Sequence, residues 1–275
     1  MKARWFFFGI AIGLAAVYFA IGAYVLRFRL ESVLLPHTSA PVSPSTPELQ
    51  PLGHSGELFV RHYGVPRLGC VLFFPGQHGN LPAYQRDLFP ALAARGIEVL
   101  AVAYPGQDGA SGIASLTHMQ ALATEAVSAA GAVCPEHSVV LYGRSLGAMV
   151  AAYSAPNHRP AGLILEGAAP SLSSAVRIRL SSHWYSLPWM ALPVSSLLRQ
   201  EFSLAQALLA TPSTPVVCFQ GTADTETPLG ELQNAPGLGK LRIIVVPGGT
   251  HTGTYELSRD RIVETVVSML RQQRT

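Results

Sequence analysis

The chain has 275 residues and a net charge of only +3, with 49% hydrophobic and 13% charged residues. Lys and Arg are scattered, without a basic run or aromatic interleaving, so nucleic-acid binding has no support. The three cysteines, Cys70, Cys134 and Cys218, are odd in number and lack C-x-x-C spacing, which argues against both a disulfide framework and a zinc site. Cys70 and Cys218 lie in apolar runs and are expected as buried small hydrophobes.

In chain order, residues 1–29 come first. Trp5 to Leu26 carries no charge; Lys2 and Arg4 precede it, and Arg27 and Arg29 close it. As a helix this run is roughly 33 Å long, enough to cross a bilayer. A signal peptide is the rival reading, but its apolar region is usually shorter, and no clear A-x-A cleavage site follows. The expectation is an uncleaved single-pass anchor. A slight charge bias favours the N-terminus inside and the following domain on the non-cytoplasmic side.

Residues 30–55 are expected as a linker, since Pro36, Pro41, Pro44, Pro47 and Pro51 stand there with several Ser and Thr. Residues 56–275, about 220 in all, suit one α/β domain with a sizeable core. Apolar runs at 57–63, 68–74, 97–103, 138–142, 162–165, 215–220 and 241–246 alternate with helical patterns. That alternation predicts a mostly parallel central sheet flanked by helices, with right-handed crossovers. Residues 167–213 break the rhythm with Trp184, Trp189 and several short helical patterns. They are expected to form a small helical lid over the carboxyl ends of the strands.

Gly143-Arg144-Ser145-Leu146-Gly147 reads G-x-S-x-G between an apolar strand pattern and a small-residue helix pattern. The five letters alone are a weak signal; strand, sharp turn and helix around them match a nucleophile elbow. A serine hydroxyl needs a base, and the base an orienting acid. Asp224 and then His251 each follow a late predicted strand, so the chain order is Ser, acid, His. In a parallel sheet those strand ends share one edge, where ligands bind. Of nine histidines, His251 alone follows a late strand; Glu226 and Glu166 are the rival acids. An oxyanion needs backbone donors, expected from the N–H groups of Leu146, after the nucleophile, and Gln77, in the loop Pro75-Gly76-Gln77-His78-Gly79-Asn80. His78 in that loop and Trp184 and Trp189 in the lid are the expected substrate contacts.

These motifs resemble the α/β-hydrolase superfamily, and more narrowly its membrane-anchored bud-emergence-type and serine-aminopeptidase-like members. Tyr104-Pro105-Gly106 with Ser111-Gly112, Leu192-Pro193 with Leu197-Leu198-Arg199, and Gly221 with Asp224 and Pro228 add to the likeness. The glycine loop departs from the group's usual His-Gly-Asn, with Pro75-Gly76-Gln77 in its place, and the group's Arg-Gly pair stands here as Pro105-Gly106; both leave the backbone donors intact. The resemblance implies an α/β-hydrolase fold and hydrolysis of a carboxylic ester, thioester or amide through an acyl-enzyme. In that reading Ser145 attacks, His251 is base and then acid, and Asp224 orients it; no cofactor or metal is needed. An aminopeptidase-like amidase and a catalytically silent scaffold on the same fold are the alternatives.

Overall fold

The computed structural model describes residues 2–35, 46–79, 81–134, 138–156, 158–239 and 241–273. Pro36, Pro41 and Pro44 of the expected linker, and Asn80 of the glycine loop, lie outside them.

The uncharged N-terminal run forms helix α1 (Lys2–Tyr24), which continues through one π-helical turn (Val25–Arg29) into α2 (Leu30–Leu34). The stretch Trp5–Leu34 is long and apolar enough to cross a membrane, and almost none of its most apolar part is buried against the rest of the protein. The helix therefore runs past the expected boundary at residue 29. Its last turns carry Leu26 and Leu35 into the core.

The sheet begins inside the segment expected as linker. β1 (Gln50–Pro51) pairs antiparallel with β2 (Phe59–Tyr63), and Leu52 behind it is buried. A two-residue strand ending in proline has little periodicity to read, and proline is tolerated there because this is a sheet edge. β3 (Gly69–Phe74) is followed by α3 (Leu81–Gln85) and α4 (Leu88–Ala93), and β4 (Ile97–Ala103) by α5 (Leu116–Val133). β5 (Val139–Arg144) leads into α6 (Leu146–Ser154), and β6 (Gly162–Glu166) into the insertion. The insertion carries α7 (Leu172–Ser181), a 3₁₀ turn (Leu187–Ala191), α8 (Val194–Leu197) and α9 (Leu204–Leu209). β7 (Val216–Gly221), α10 (Leu229–Asn234), β8 (Arg242–Val246) and α11 (Thr254–Gln272) complete the chain.

The eight strands order as β1-β2-β4-β3-β5-β6-β7-β8, antiparallel through β2 and parallel from β4 onward. Because strand side chains alternate, Cys70, Leu72 and Phe74 of β3 face one core with α5 and α6. Val71 and Phe73 face the other with α4 and α11. All five are fully buried, which is why β3 reads as one continuous apolar run. The parallel order brings the carboxyl ends of β3, β5, β6, β7 and β8 to one edge.

One sequence expectation is corrected. Cys70 and Cys134 form a disulfide, with Cα atoms 6.0 Å apart, and only Cys218 is free and buried. The odd count misled because the third cysteine is a core residue of β7. The bridge joins the start of β3 to the end of α5, a contact between elements 64 residues apart in the chain.

Candidate active site

Ser145 sits between β5 and α6 with φ 53° and ψ −118°. A non-glycine residue with positive φ is strained. The strain is held from both sides: the Ser145 N–H donates to the Glu166 carbonyl at 2.7 Å, and the Ser145 carbonyl accepts from Ala148. The flanking glycines are needed for close approach. A Cβ at Gly143 would strike the Gly147 carbonyl, and one at Gly147 the carbonyls of Phe74 and Pro75.

The structure brings Ser145, His251 and Asp224 together. His251 Nε2 is 2.9 Å from Ser145 Oγ, and His251 Nδ1 is 2.9 Å from Asp224 Oδ2. His251 follows β8 and Asp224 follows β7, and both are buried while Ser145 is half-buried. Asp224 is firmly seated. Its Oδ1 accepts backbone N–H bonds from Glu226 and Thr227, and its Oδ2 accepts the Thr227 hydroxyl at 2.8 Å. Burial alone would raise the Asp224 pKa. The hydrogen bond and charge of His251, together with Thr227, outweigh burial and hold it below the usual carboxylate range. The rival Glu226 is half-exposed, with a carboxylate oxygen 3.9 Å from His251 Nε2. The other rival, Glu166, is fully buried and accepts bonds from the Tyr84 and Tyr142 hydroxyls, a structural acid whose pKa burial raises.

Gly76 lies beside the nucleophile: a Cβ there would be 3.5 Å from Ser145 Cβ and 2.9 Å from an Arg144 guanidinium nitrogen. The next residue, Gln77, is fixed by a turn in which the Gly79 N–H donates to the Gly76 carbonyl at 3.0 Å. Leu146 opens α6, whose N-terminal N–H groups carry partial positive charge toward the site. His78 is exposed on the same loop, its ring nitrogen 2.9 Å from the Gln77 side-chain amide. The two tryptophans are placed differently from expectation. Trp184 is 86% exposed, and Trp189 packs against the N-terminal helix at Tyr18 and Gly22. Their contacts thus lie with the helix and the surface of the insertion. An apolar aromatic residue in a lid pattern reads the same whether it covers substrate or a neighbouring helix.

Sequence reasoning missed the supporting polar residues. Arg144, the variable position of the motif, donates to the His251 carbonyl at 3.0 Å from a buried guanidinium. Gln107 donates its side-chain amide to the Gln77 carbonyl at 2.6 Å, pinning the loop that carries Gln77. Thr227 was accessible to reasoning, because an Asp side chain that closes a turn on the backbone two residues on, here at Glu226, brings the next residue beside it. Among the described residues, no group of three or more His, Cys, Asp or Glu is arranged to hold a metal ion.

Behind this loop lies Asp108, 3% exposed, with φ 50° and its Oδ2 without a hydrogen-bond partner among the described residues. Burial raises its pKa to about 6, against the lowering effects of Arg61 and the Leu81 N–H. A carboxyl whose folded pKa exceeds its unfolded value destabilises the fold once ionised. The penalty is absent below the unfolded pKa and complete above the folded one. Asp108→Asn keeps the shape and tolerates the left-handed backbone. It is expected to stabilise the protein by on the order of 2 kcal/mol at pH 8. The gain should fall as pH drops below about 6 and vanish by about pH 3, below the unfolded pKa of 3.8, where the carboxyl is neutral in both states. Chemical denaturation of both proteins across this pH range checks it; a gain independent of pH would exclude ionisation as the cause.

The serine aminopeptidase S33 family profile matches residues 66–214, spanning β3 through the insertion and including Ser145. No curated protein matches the chain. Among solved structures, an esterase from Pyrococcus furiosus superposes with a TM-score of 0.64 at 15% identity, covering 86% of this chain and 97% of that one. A monoacylglycerol lipase from Paleococcus ferrophilus gives 0.54 at 18% identity, covering 78% and 99%. A thioesterase domain from the curacin biosynthetic pathway gives 0.55 at 16% identity, covering 81% and 98%. At these identities the likeness is one of fold, and with the profile match over more than half of its length the chain belongs to the serine aminopeptidase S33 family of α/β hydrolases.

Proposed function

We propose that this protein is a membrane-anchored serine hydrolase that cleaves a carboxylic ester or thioester through an acyl-enzyme on Ser145. The observation that carries the reading is the unbroken chain of 2.9 Å contacts from Ser145 Oγ through the His251 ring to Asp224 Oδ2, on a backbone strained at the serine. His251 Nε2 takes the hydroxyl proton as Ser145 Oγ attacks the carbonyl carbon. Asp224 Oδ2 accepts the hydrogen bond of His251 Nδ1–H and, staying ionised, orients the ring and stabilises the imidazolium. The N–H groups of Gln77 and Leu146 hold the oxyanion of the tetrahedral intermediate. Its collapse expels the alcohol or thiol, which takes the proton back from His251, and water then releases the acyl group by the same steps in reverse.

The N-terminal helix supports the anchor by its length and composition. The Cys70–Cys134 disulfide supports a domain on the non-cytoplasmic side, since such bonds persist in oxidising compartments. A second reading, an amidase acting on free amino ends, is favoured by Glu226, whose half-exposed carboxylate beside His251 would hold a substrate ammonium. A panel of p-nitrophenyl acyl esters, the matching thioesters and aminoacyl anilides separates the two. Turnover of esters and thioesters is expected. Robust cleavage of the anilides with no ester turnover would sink the first reading in favour of the second, and Glu226→Gln should then raise KM for them.

A further inference from the structure

The N-terminal helix does not leave the domain where its apolar run ends. Tyr18, Gly22, Leu26 and Leu30 form an i, i+4 stripe of less exposed positions along it. The Tyr18 hydroxyl donates to the Tyr185 carbonyl, and the Tyr18 and Trp189 rings lie 5.5 Å apart. A Cβ at Gly22 would come within 2.7 Å of the Trp189 ring, so the insertion packs directly on the helix backbone. One turn further, Arg27 donates to the Leu198 carbonyl at 3.4 Å, and the Arg199 guanidinium lies 5.2 Å above the Phe28 ring.

These contacts set a depth. From Trp5 to Tyr18 the helix rises roughly 20 Å, short of the ~30 Å hydrocarbon core of a bilayer. The apolar run must therefore be completed by the stretch from Tyr18 to Leu26, and that is the stretch the insertion covers. Trp184 (86% exposed), Tyr185 (53%) and Leu187 (49%) stand out on this part of the insertion. Trp and Tyr favour the headgroup level, where one end of the ring is apolar and the other wet. The exposed Arg27, Arg29, Arg177 and Arg199 surround the same junction, against two carboxylates, Glu31 on the helix and Glu201 in the insertion. That charge balance suits lipid phosphates.

We propose that residues 183–190 are a second membrane contact, entering the same phospholipid leaflet as the N-terminal helix with Trp184, Tyr185 and Leu187 at the headgroup–acyl boundary. The proposal rests on the anchor reading above. It makes the insertion and the helix one membrane-seated unit, so that the insertion that follows β6 sits at the lipid surface.

The chain's three tryptophans supply the test, because Trp5 reports on the helix and Trp184 on the insertion. Both are exposed, so Trp5→Phe and Trp184→Phe leave the packing intact. The full chain is reconstituted in phosphatidylcholine–phosphatidylglycerol vesicles with and without bromine on the acyl chains, and tryptophan emission is compared. Expected is a brominated-lipid quenching component that is lost in Trp184→Phe, beside another lost in Trp5→Phe. Quenching that depends on Trp5 alone, with Trp184 quenched by aqueous iodide instead, overturns the proposal and leaves the anchor standing. Shielding of Trp184 from both quenchers overturns it in favour of a protein partner. Absence of lipid quenching at both Trp5 and Trp184 overturns the anchor together with the proposal.

Discussion

Ser145→Ala should lower ester or thioester turnover by about 10⁴-fold or more, while leaving the thermal midpoint nearly unchanged. The size follows from what the substitution removes. Without Oγ there is no acyl-enzyme, and only binding and oxyanion stabilisation remain for a direct attack by water. The small effect on stability follows from the site: the described side-chain bond of Ser145 is the one to His251, and the strained backbone is held by main-chain bonds that Ala retains. His251→Ala should fall nearly as far, because residues that act as a unit lose their effect together. A fluorophosphonate probe reads the same property without a known substrate. Labelling of the wild type should be lost in both variants. Ester turnover surviving in Ser145→Ala would assign the chemistry elsewhere, and a folded wild type that the probe never labels would favour the silent-scaffold alternative.

The parts of this arrangement that could be read beforehand are those encoded locally. Val139 to Leu141 form a short, largely β-branched apolar run and Leu146 to Ala152 a small-residue run on either side of a G-x-S-x-G, so the turn between them is specified within about fifteen residues. His251 and Asp224 were reachable because the parallel topology, itself legible from alternating strands and helices, puts every late strand end at one edge. What stayed hidden depends on tertiary neighbours. Gln107 and Asp108 look like ordinary polar loop residues until β4 is laid beside β3 and their loop meets Gln77 and Gly79. A Cβ at Gly79 would run into Asp108 Oδ2, a constraint that no local pattern announces. Trp189 could not be assigned to the N-terminal helix, because the two are more than 160 residues apart and both apolar. Helix α11 starts at Thr254, with its first turn buried around Thr254 and Tyr255.

Removing the Cys70–Cys134 bridge should cost about 4 kcal/mol of stability, from the entropy restored to an unfolded chain whose 64-residue loop is no longer closed. For a domain of this size that corresponds to a fall of about 8–16 °C in thermal midpoint. The bridge fastens the buried start of β3, at the centre of the sheet, to the C-terminal cap of α5, which covers one of its faces. The double variant Cys70→Ala/Cys134→Ala and reductant-treated wild type should therefore lose similar amounts in denaturant melts, with activity at low temperature preserved, since neither sulfur touches Ser145, His251 or Asp224. The same bond ties stability to topology. In an oxidising compartment, protein denatured and alkylated directly from membranes should show one free thiol, that of Cys218. In a reducing one it should show all three. Three free thiols would remove the structural support for a non-cytoplasmic domain, and would mean that the enzyme works without its largest single covalent restraint. One free thiol would join the anchor's orientation to the fold's stability: the domain reaches full stability only on the side of the membrane where its cysteines can be oxidised.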